Sequence, residues 1–183
     1  MLQGSTFHLR TIMEEDLDEL VRLFGDRSLQ GDYLPVRLVS QSHLREAFKK
    51  DGFWSEDFKR LLMMSDQEQI IGSLWIFRPV PYFDALEIGY TLLGRERWGK
   101  GLMTEAAGLV VDYVFSTERV NRLEIRCDVE NHASARIAEK LGFTHEGIAR
   151  QATLSRGSHH DMHQYALIRA DWAGARDSEK TKN

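Results

Sequence analysis

The sequence predicts one α/β (α+β) domain, a mixed and mostly antiparallel twisted sheet flanked by helices over residues 1–172, followed by a polar tail over 173–183. Three observations carry this. With 183 residues, 42% of them hydrophobic, the chain can bury one sizeable core and is too short for two ordinary domains. Several short runs alternate apolar and polar residues, the mark of half-buried strands, as in Leu86, Ile88, Tyr90 and Leu92, and again in Leu123, Ile125, Cys127 and Val129. Between these two runs Met103, Ala106, Ala107, Val110, Val111 and Val114 recur at helical spacing. A strand, helix, strand passage of this kind implies a parallel neighbour and a right-handed crossover.

In order, Phe7, Leu9 and Thr11 read as a first strand. Leu17, Leu20, Val21 and Phe24 read as a helix behind the acidic turn Glu14, Glu15 and Asp16. From Gly25 to Val39 the glycines, Asp32 and Pro35 break any period. Ser40 can then cap a second helix carrying Leu44, Ala47 and Phe48, so that two helices form one wall of a cleft. Phe58–Met64 and Ile70–Phe77 read as a hairpin around the polar turn Ser65–Gln69. Pro79 and Pro81 end it, and Asp84 introduces the strand with Glu87. After the central helix and the Leu123–Val129 strand, either Asn131 or Ser134 can cap a helix with Ile137, Ala138 and Leu141 facing inward, stopped by Gly142. Phe143–Gly147, Ile148–Ser155 and His163–Ile168 complete the sheet, and the polar residues from Ala173 onward are expected to fray.

The glycines of Arg95–Ala107 fall between a strand and an amphipathic helix, where an anion would bind. First-turn N–H groups lack intrahelical partners and lie at the positive end of the helix dipole, and glycine lets a phosphate approach. Two phosphate motifs nonetheless fail. Gly94–Lys100 fits seven positions of a Walker loop, but the eighth, which must be Ser or Thr to hold magnesium, is Gly101. Gly99–Thr104 lacks the third glycine of a dinucleotide fingerprint.

Four blocks taken together resemble the GNAT N-acetyltransferases of the RimJ/RimL type. They are Glu87-Ile88-Gly89-Tyr90, Trp98-Gly99-Lys100-Gly101-Leu102-Met103-Thr104-Glu105-Ala106, Asn131-His132-Ala133-Ser134 and Lys140-Leu141-Gly142-Phe143. The resemblance implies the GNAT fold and transfer of an acetyl group from acetyl-coenzyme A to a primary amine, by direct attack within a ternary complex, with coenzyme A as product. It assigns the diphosphate to backbone N–H groups from Trp98 through Gly99, Lys100, Gly101, Leu102 and Met103 to Thr104, with the Thr104 hydroxyl and the Lys100 or Arg97 side chains as extra donors. In the superfamily this motif often begins with Gln or Arg, where this chain has Glu96. The resemblance places Tyr90, Thr91, Leu92 and Leu93 against the pantetheine arm, with an N–H near Leu92 as oxyanion donor, and it sets Asn131 on the arm and Ser134 near the thioester sulfur. Serine is a poor acid, so Ser134 would stabilise the thiolate by hydrogen bonding. Gly157, Asp161 and Tyr165 match a C-terminal pattern that shapes the acceptor cleft.

Amine activation needs a base. At pH 7 a lysine is neutral in only about a few parts per ten thousand, an α-amine in roughly a tenth. Glu87, on a central strand, is the first candidate, acting directly or through water; Asp128 and Glu130 are weaker ones. His159-His160-Asp161-Met162-His163 invites a metal, yet the residues alternate and no second ligand cluster accompanies them, so none is expected. Cys127 fits the strand period too well for a nucleophile, and Trp75 and Trp98 read as packing residues.

A net charge of −4 argues against a general nucleic-acid binder and suits a cationic amine. A single cysteine, with no apolar run behind a basic start and none of bilayer length, fits a reducing, cytoplasmic, membrane-free setting. The acceptor is a protein N-terminus of the ribosomal-protein type or a small amine; a homodimer is compatible with this reading. The rival is a non-catalytic acyl-coenzyme A sensor or interaction domain.

Overall fold

The computed structural model describes residues 1–26, 28–29, 31–33, 40–155 and 157–180. Its elements run β1 (Leu2–Gln3), β2 (Phe7–Thr11), α1 (Leu17–Gly25), α2 (Gln41–Asp51), β3 (Phe58–Ser65), β4 (Ile70–Phe77), β5 (Ala85–Leu92), α3 (Leu102–Thr117), β6 (Arg122–Asp128), α4 (His132–Lys140), β7 (Thr144–Ser155), β8 (Ser158–Ile168) and α5 (Arg169–Lys180). The strands form a sheet in the order β1-β2-β3-β4-β5-β6-β8-β7. Neighbours are antiparallel except β5 and β6, whose parallel ladder covers only Ala85↔Arg122, Leu86↔Leu123 and Glu87↔Glu124.

Period-two alternation sorts side chains onto two faces. Leu61, Met63, Leu74, Ile76, Leu86, Ile88, Leu123 and Ile125 pack with Met103, Ala106, Ala107, Val110, Val111, Val114 and Phe115 of α3. Burial of the three valines and Phe115 stabilises this layer by roughly 1.5–3 kcal/mol per side chain, which far outweighs the entropic cost of about 1 kcal/mol for each glycine in the loop before it. The opposite face packs Leu62, Met64, Ile70 and Leu93 against Leu17, Leu20 and Leu23 of α1, with Leu44 and Phe48 of α2 alongside. The two N-terminal helices thus cover the face away from α3.

Local chemistry explains the helix ends. The Ser40 hydroxyl accepts from the His43 N–H, and α2 stops at Gly52 in the left-handed region (φ 63°). Asn131 caps α4 by accepting from the Ser134 N–H at 3.1 Å, which decides between the two caps the sequence allowed.

Several expectations need correction. Val129 lies outside β6, because Asp128 accepts from the Glu130 N–H at 2.9 Å and turns the chain. Phe143–Gly147 and Ile148–Ser155 are not two strands: β7 runs from Thr144 through register shifts at His145/Gly147 and Ala149/Thr153, with Phe143 buried just before it. β8 begins at Ser158, not His163. Helix α5 continues through residues 173–180, where the polar tail was expected to fray. The Trp172 indole donates to Asp112 at 2.7 Å and its ring stacks 5.3 Å from Phe115, while Arg169 donates to the carbonyls of Phe115, Glu118 and Val120 at the end of α3. Pro35 lies outside the described residues. Among those described, no helix is long and apolar enough to cross a membrane.

Candidate active site

The site begins where β5 and β6 part. The Leu93 N–H donates to Ile71 O at 2.9 Å, so the alternation of an antiparallel ladder turns the backbone groups of Leu92 and Tyr90 to the other edge, toward β6. The parallel ladder has ended at Glu87↔Glu124 by then, while β6 continues to Asp128 on β8. A gap therefore opens with the N–H groups of Tyr90 and Leu92 on its rim. Across it the Tyr90 hydroxyl lies 2.7 Å from Ser134 Oγ, joining β5 to the first turn of α4. Burial raises the Tyr90 phenol, partly offset by the bond to Ser134. Burial likewise pushes the nearby Cys127 thiol up to about 11, so it stays protonated at neutral pH.

The glycine loop closes the open end of the gap. Gly99 (φ 72°) and Gly101 (φ 81°) are left-handed, and a Cβ on either would meet nothing within 4 Å: conformation requires glycine there, and the space in front is open. Gly101 caps α3 with no side chain accepting from its first turn. The first-turn carboxylate, Glu105, is engaged by the Ser5 N–H and hydroxyl at 2.6 and 2.7 Å. Backbone donors at the start of a 16-residue helix, behind open glycines and an exposed Lys100, form a set that fits a diphosphate. Trp98 donates from its indole to Leu92 O at 3.0 Å and so holds the loop to the strand.

Not every residue expected to meet the cofactor faces it. Leu93 is buried in the α1 core with its N–H spent on Ile71, so it is removed from the set. The Arg97 guanidinium folds back onto Leu93 O at 3.1 Å and onto Glu96, away from the role of extra phosphate donor. Met103 and Leu102 pack their side chains in the core and leave only backbone N–H groups.

On the sheet face opposite α3 lie Glu87, Gly89 and Thr91. At Gly89 a Cβ would collide with the Trp75 indole, which therefore lies against the strand. Arg60 is held over Phe24 (4.4 Å) and Trp75 (5.6 Å), donates to Ser73 Oγ at 2.9 Å, and is pushed down to about 10 by burial. The Glu87 side chain is 13% exposed, its Oε2 3.1 Å from Arg126 Nη1. Burial pushes its carboxyl up to about 7, with Arg126 opposing and Glu124 adding to the rise. Arg126 also donates to Glu124 at 2.6 Å, Arg122 donates to Glu124 at 2.7 Å, and Arg122 pairs with Glu146. These neighbours were missed in the sequence, although β6 carries its charges at alternate positions, Arg122, Glu124, Arg126 and Asp128.

Beyond the end of β6 an open pocket of about 460 Å³ is lined by Asp32, Tyr33, Asp128, Glu130, His160 and Asp161, among others. His160 bridges Asp128 (3.0 Å) and Ser158 Oγ (2.9 Å), and Asp161 accepts from the Gln151 N–H at 2.8 Å. His163 turns instead to His145 at 2.9 Å. No three His, Cys, Asp or Glu side chains converge as a metal site among the described residues.

The acetyltransferase (GNAT) domain family model matches residues 6–144. The uncharacterized N-acetyltransferase p20 of Bacillus licheniformis is 30% identical over 169 residues, 91% of this chain and 94% of that one. The [ribosomal protein uS5]-alanine N-acetyltransferase of Escherichia coli is 32% identical over 140 residues, 76% of this chain and 67% of that one. Among solved structures, RimL, a ribosomal alpha-N-protein acetyltransferase in complex with coenzyme A, aligns with a TM-score of 0.77 at 26% identity, over 92% of this chain and 97% of that one. With the family match spanning most of the chain, the split sheet and its glycine loop have an owner: the protein belongs to the GNAT acetyltransferases and is an acetyl-coenzyme A-dependent N-acetyltransferase.

Proposed function

We propose that the protein acetylates the N-terminal amine of a protein of the ribosomal type, the amine entering through the acidic pocket beside Asp128 and Glu130 and attacking the thioester directly. Acetyl-coenzyme A supplies the activated acyl group. The backbone donors from Trp98 to Thr104, with the Thr104 hydroxyl and Lys100, hold its diphosphate; the rim of β5 at Tyr90 and Leu92 and the Asn131 carboxamide receive its arm. The Leu92 N–H stabilises the oxyanion. Ser134 donates to the departing thiolate, with its own oxygen bonded to Tyr90. Glu87 accepts the amine proton, directly or through water, and a carboxyl near 7 is matched to that task at neutral pH.

The observation that supports this most is that the ladder between β5 and β6 ends at Glu87, so the one acid on β5 stands where the gap opens. Thiol release measured against pH tests it. Glu87→Gln should lower kcat/KM by about 10²–10⁴ and abolish an acid limb near pH 7. An unchanged rate and profile would remove Glu87 from the mechanism. Tight coenzyme A binding without acceptor-dependent thiol release would favour the sensor.

A small polycationic amine is the second reading, favoured by the carboxylates of Asp32, Asp128, Glu130 and Asp161 at one pocket. Peptide N-termini and a polyamine assayed side by side separate the two by kcat/KM.

A further inference from the structure

We propose that Arg126, clamped between Glu87 and Glu124, is a positioning residue that keeps Glu87 available as a proton acceptor, and that Glu124 tunes it by competing for the same guanidinium. This rests on the reading of Glu87 as the base.

The geometry is a line of alternating charge across three strands. Glu87 on β5 meets Arg126 Nη1 at 3.1 Å; Arg126 Nη2 meets Glu124 Oε2 at 2.6 Å; Arg122 Nε meets Glu124 Oε1 at 2.7 Å and its other N–H groups hold Glu146 on β7. The guanidinium meets the two carboxylates through Nη1 and Nη2, while its Nε is buried without a hydrogen-bond partner among the described residues. The charged groups facing Glu87 from β6 are Arg126 and Glu124. From β4 its neighbours are Phe77, its register partner, and Trp75, neither of which titrates. Arg60 of β3 is held on Phe24, Trp75 and Ser73.

The consequences have opposite signs for two neighbouring substitutions. Without the guanidinium, Glu87 is a buried carboxyl beside a second carboxylate, and it holds its proton through neutral pH. With Glu124 neutralised, the like charge is gone and Arg126 turns to Glu87 alone, which ionises at lower pH and becomes a weaker base. A purely structural role for Arg126 moves stability but gives no such pair of opposite shifts.

The test follows the side-chain carboxyl ¹³C shift of Glu87 against pH, assigned by its loss in Glu87→Gln, in the wild-type, Arg126→Met, Arg126→Lys and Glu124→Gln proteins without substrate. The acid limb of kcat/KM for thiol release is measured beside it at saturating acetyl-coenzyme A. The Glu87 midpoint should rise by at least about one pH unit in Arg126→Met, a tenfold loss of ionised Glu87 well below that midpoint. It should fall in Glu124→Gln and lie between in Arg126→Lys. Midpoints that stay put, or that shift the same way in both neutralising variants, overturn the proposal. If Arg126→Met does not fold, Arg126→Lys against Glu124→Gln carries the same test of sign. Midpoints that move as expected while the kinetic limb stays fixed leave the control of Glu87 by Arg126 standing and refute the base reading.

Discussion

Glu87→Gln should separate stability from activity in a way that depends on pH. The Glu87 carboxyl is raised from 4.5 to about 7, chiefly by burial. A carboxyl whose folded pKa lies above its unfolded value contributes stability that is complete below about 4.5 and is lost as pH rises through about 7, because the unfolded chain releases the proton first. The side chain is only 13% exposed, so solvent screens little of this. Linkage between these two values makes wild-type stability fall relative to the Gln variant by roughly 2–3 kcal/mol between pH 5 and pH 8.5. For a domain of this size that is roughly 5–10 °C in Tm. The packing and hydrogen bonding that the substitution alters without regard to charge are the same at both pH values and cancel in the difference. Urea denaturation of both proteins at pH 5 and 8.5 measures it, and the variant should gain on the wild type at the higher pH. A stability difference that is flat across this range would mean that Glu87 ionises as easily in the fold as in the unfolded chain, and the argument for a poised base would go with it.

Gly101→Ala should weaken coenzyme A binding tenfold or more by calorimetry and cost about 1–2 kcal/mol of stability, because φ is 81° at the residue opening α3; unchanged binding would show that the loop does not hold the diphosphate. Tyr90→Phe should lower kcat about tenfold while leaving coenzyme A affinity in place, since a hydroxyl that accepts a bond is a better donor to the thiolate and Ser134 would lose a partner at 2.7 Å. A single-turnover rate equal to wild type would reduce the pair to a brace between β5 and α4. Trp172→Ala should cost about 3 kcal/mol in urea denaturation, with activity per folded molecule retained, because the indole packs on Phe115 and donates to Asp112.

Much of the fold was legible because its signals are local. The alternation through Leu86, Ile88, Tyr90 and Leu92 and the helical period of α3 both follow from one buried face each. The long β7 was read in pieces because it is an exposed and bulged edge strand, as at Ile148 and Leu154, and β8 was read short because only Tyr165–Leu167 of it is buried, so no apolar alternation marks its first half. Helix α5 was hidden in a polar stretch because a single tryptophan and Arg169 dock it on the end of α3. The family resemblance placed Leu93 on the cofactor arm together with Leu92, yet neighbours on a strand point to opposite faces and opposite edges.

The candidate base illustrates where such reading ends. Sitting between Leu86 and Ile88, Glu87 must face away from α3, and that much follows from period two alone. Its partner Arg126 follows the same rule on β6, at a charged position between Ile125 and Cys127, so the pairing of faces was implicit in two strands read together. The depth of that face is another matter. An exposed carboxylate beside an arginine would titrate below the usual carboxylate range, whereas here burial outweighs the guanidinium and carries Glu87 to about 7. Burial is a property of the assembled layers, and it is burial that decides whether the same two residues make a surface ion pair or a proton acceptor matched to neutral pH.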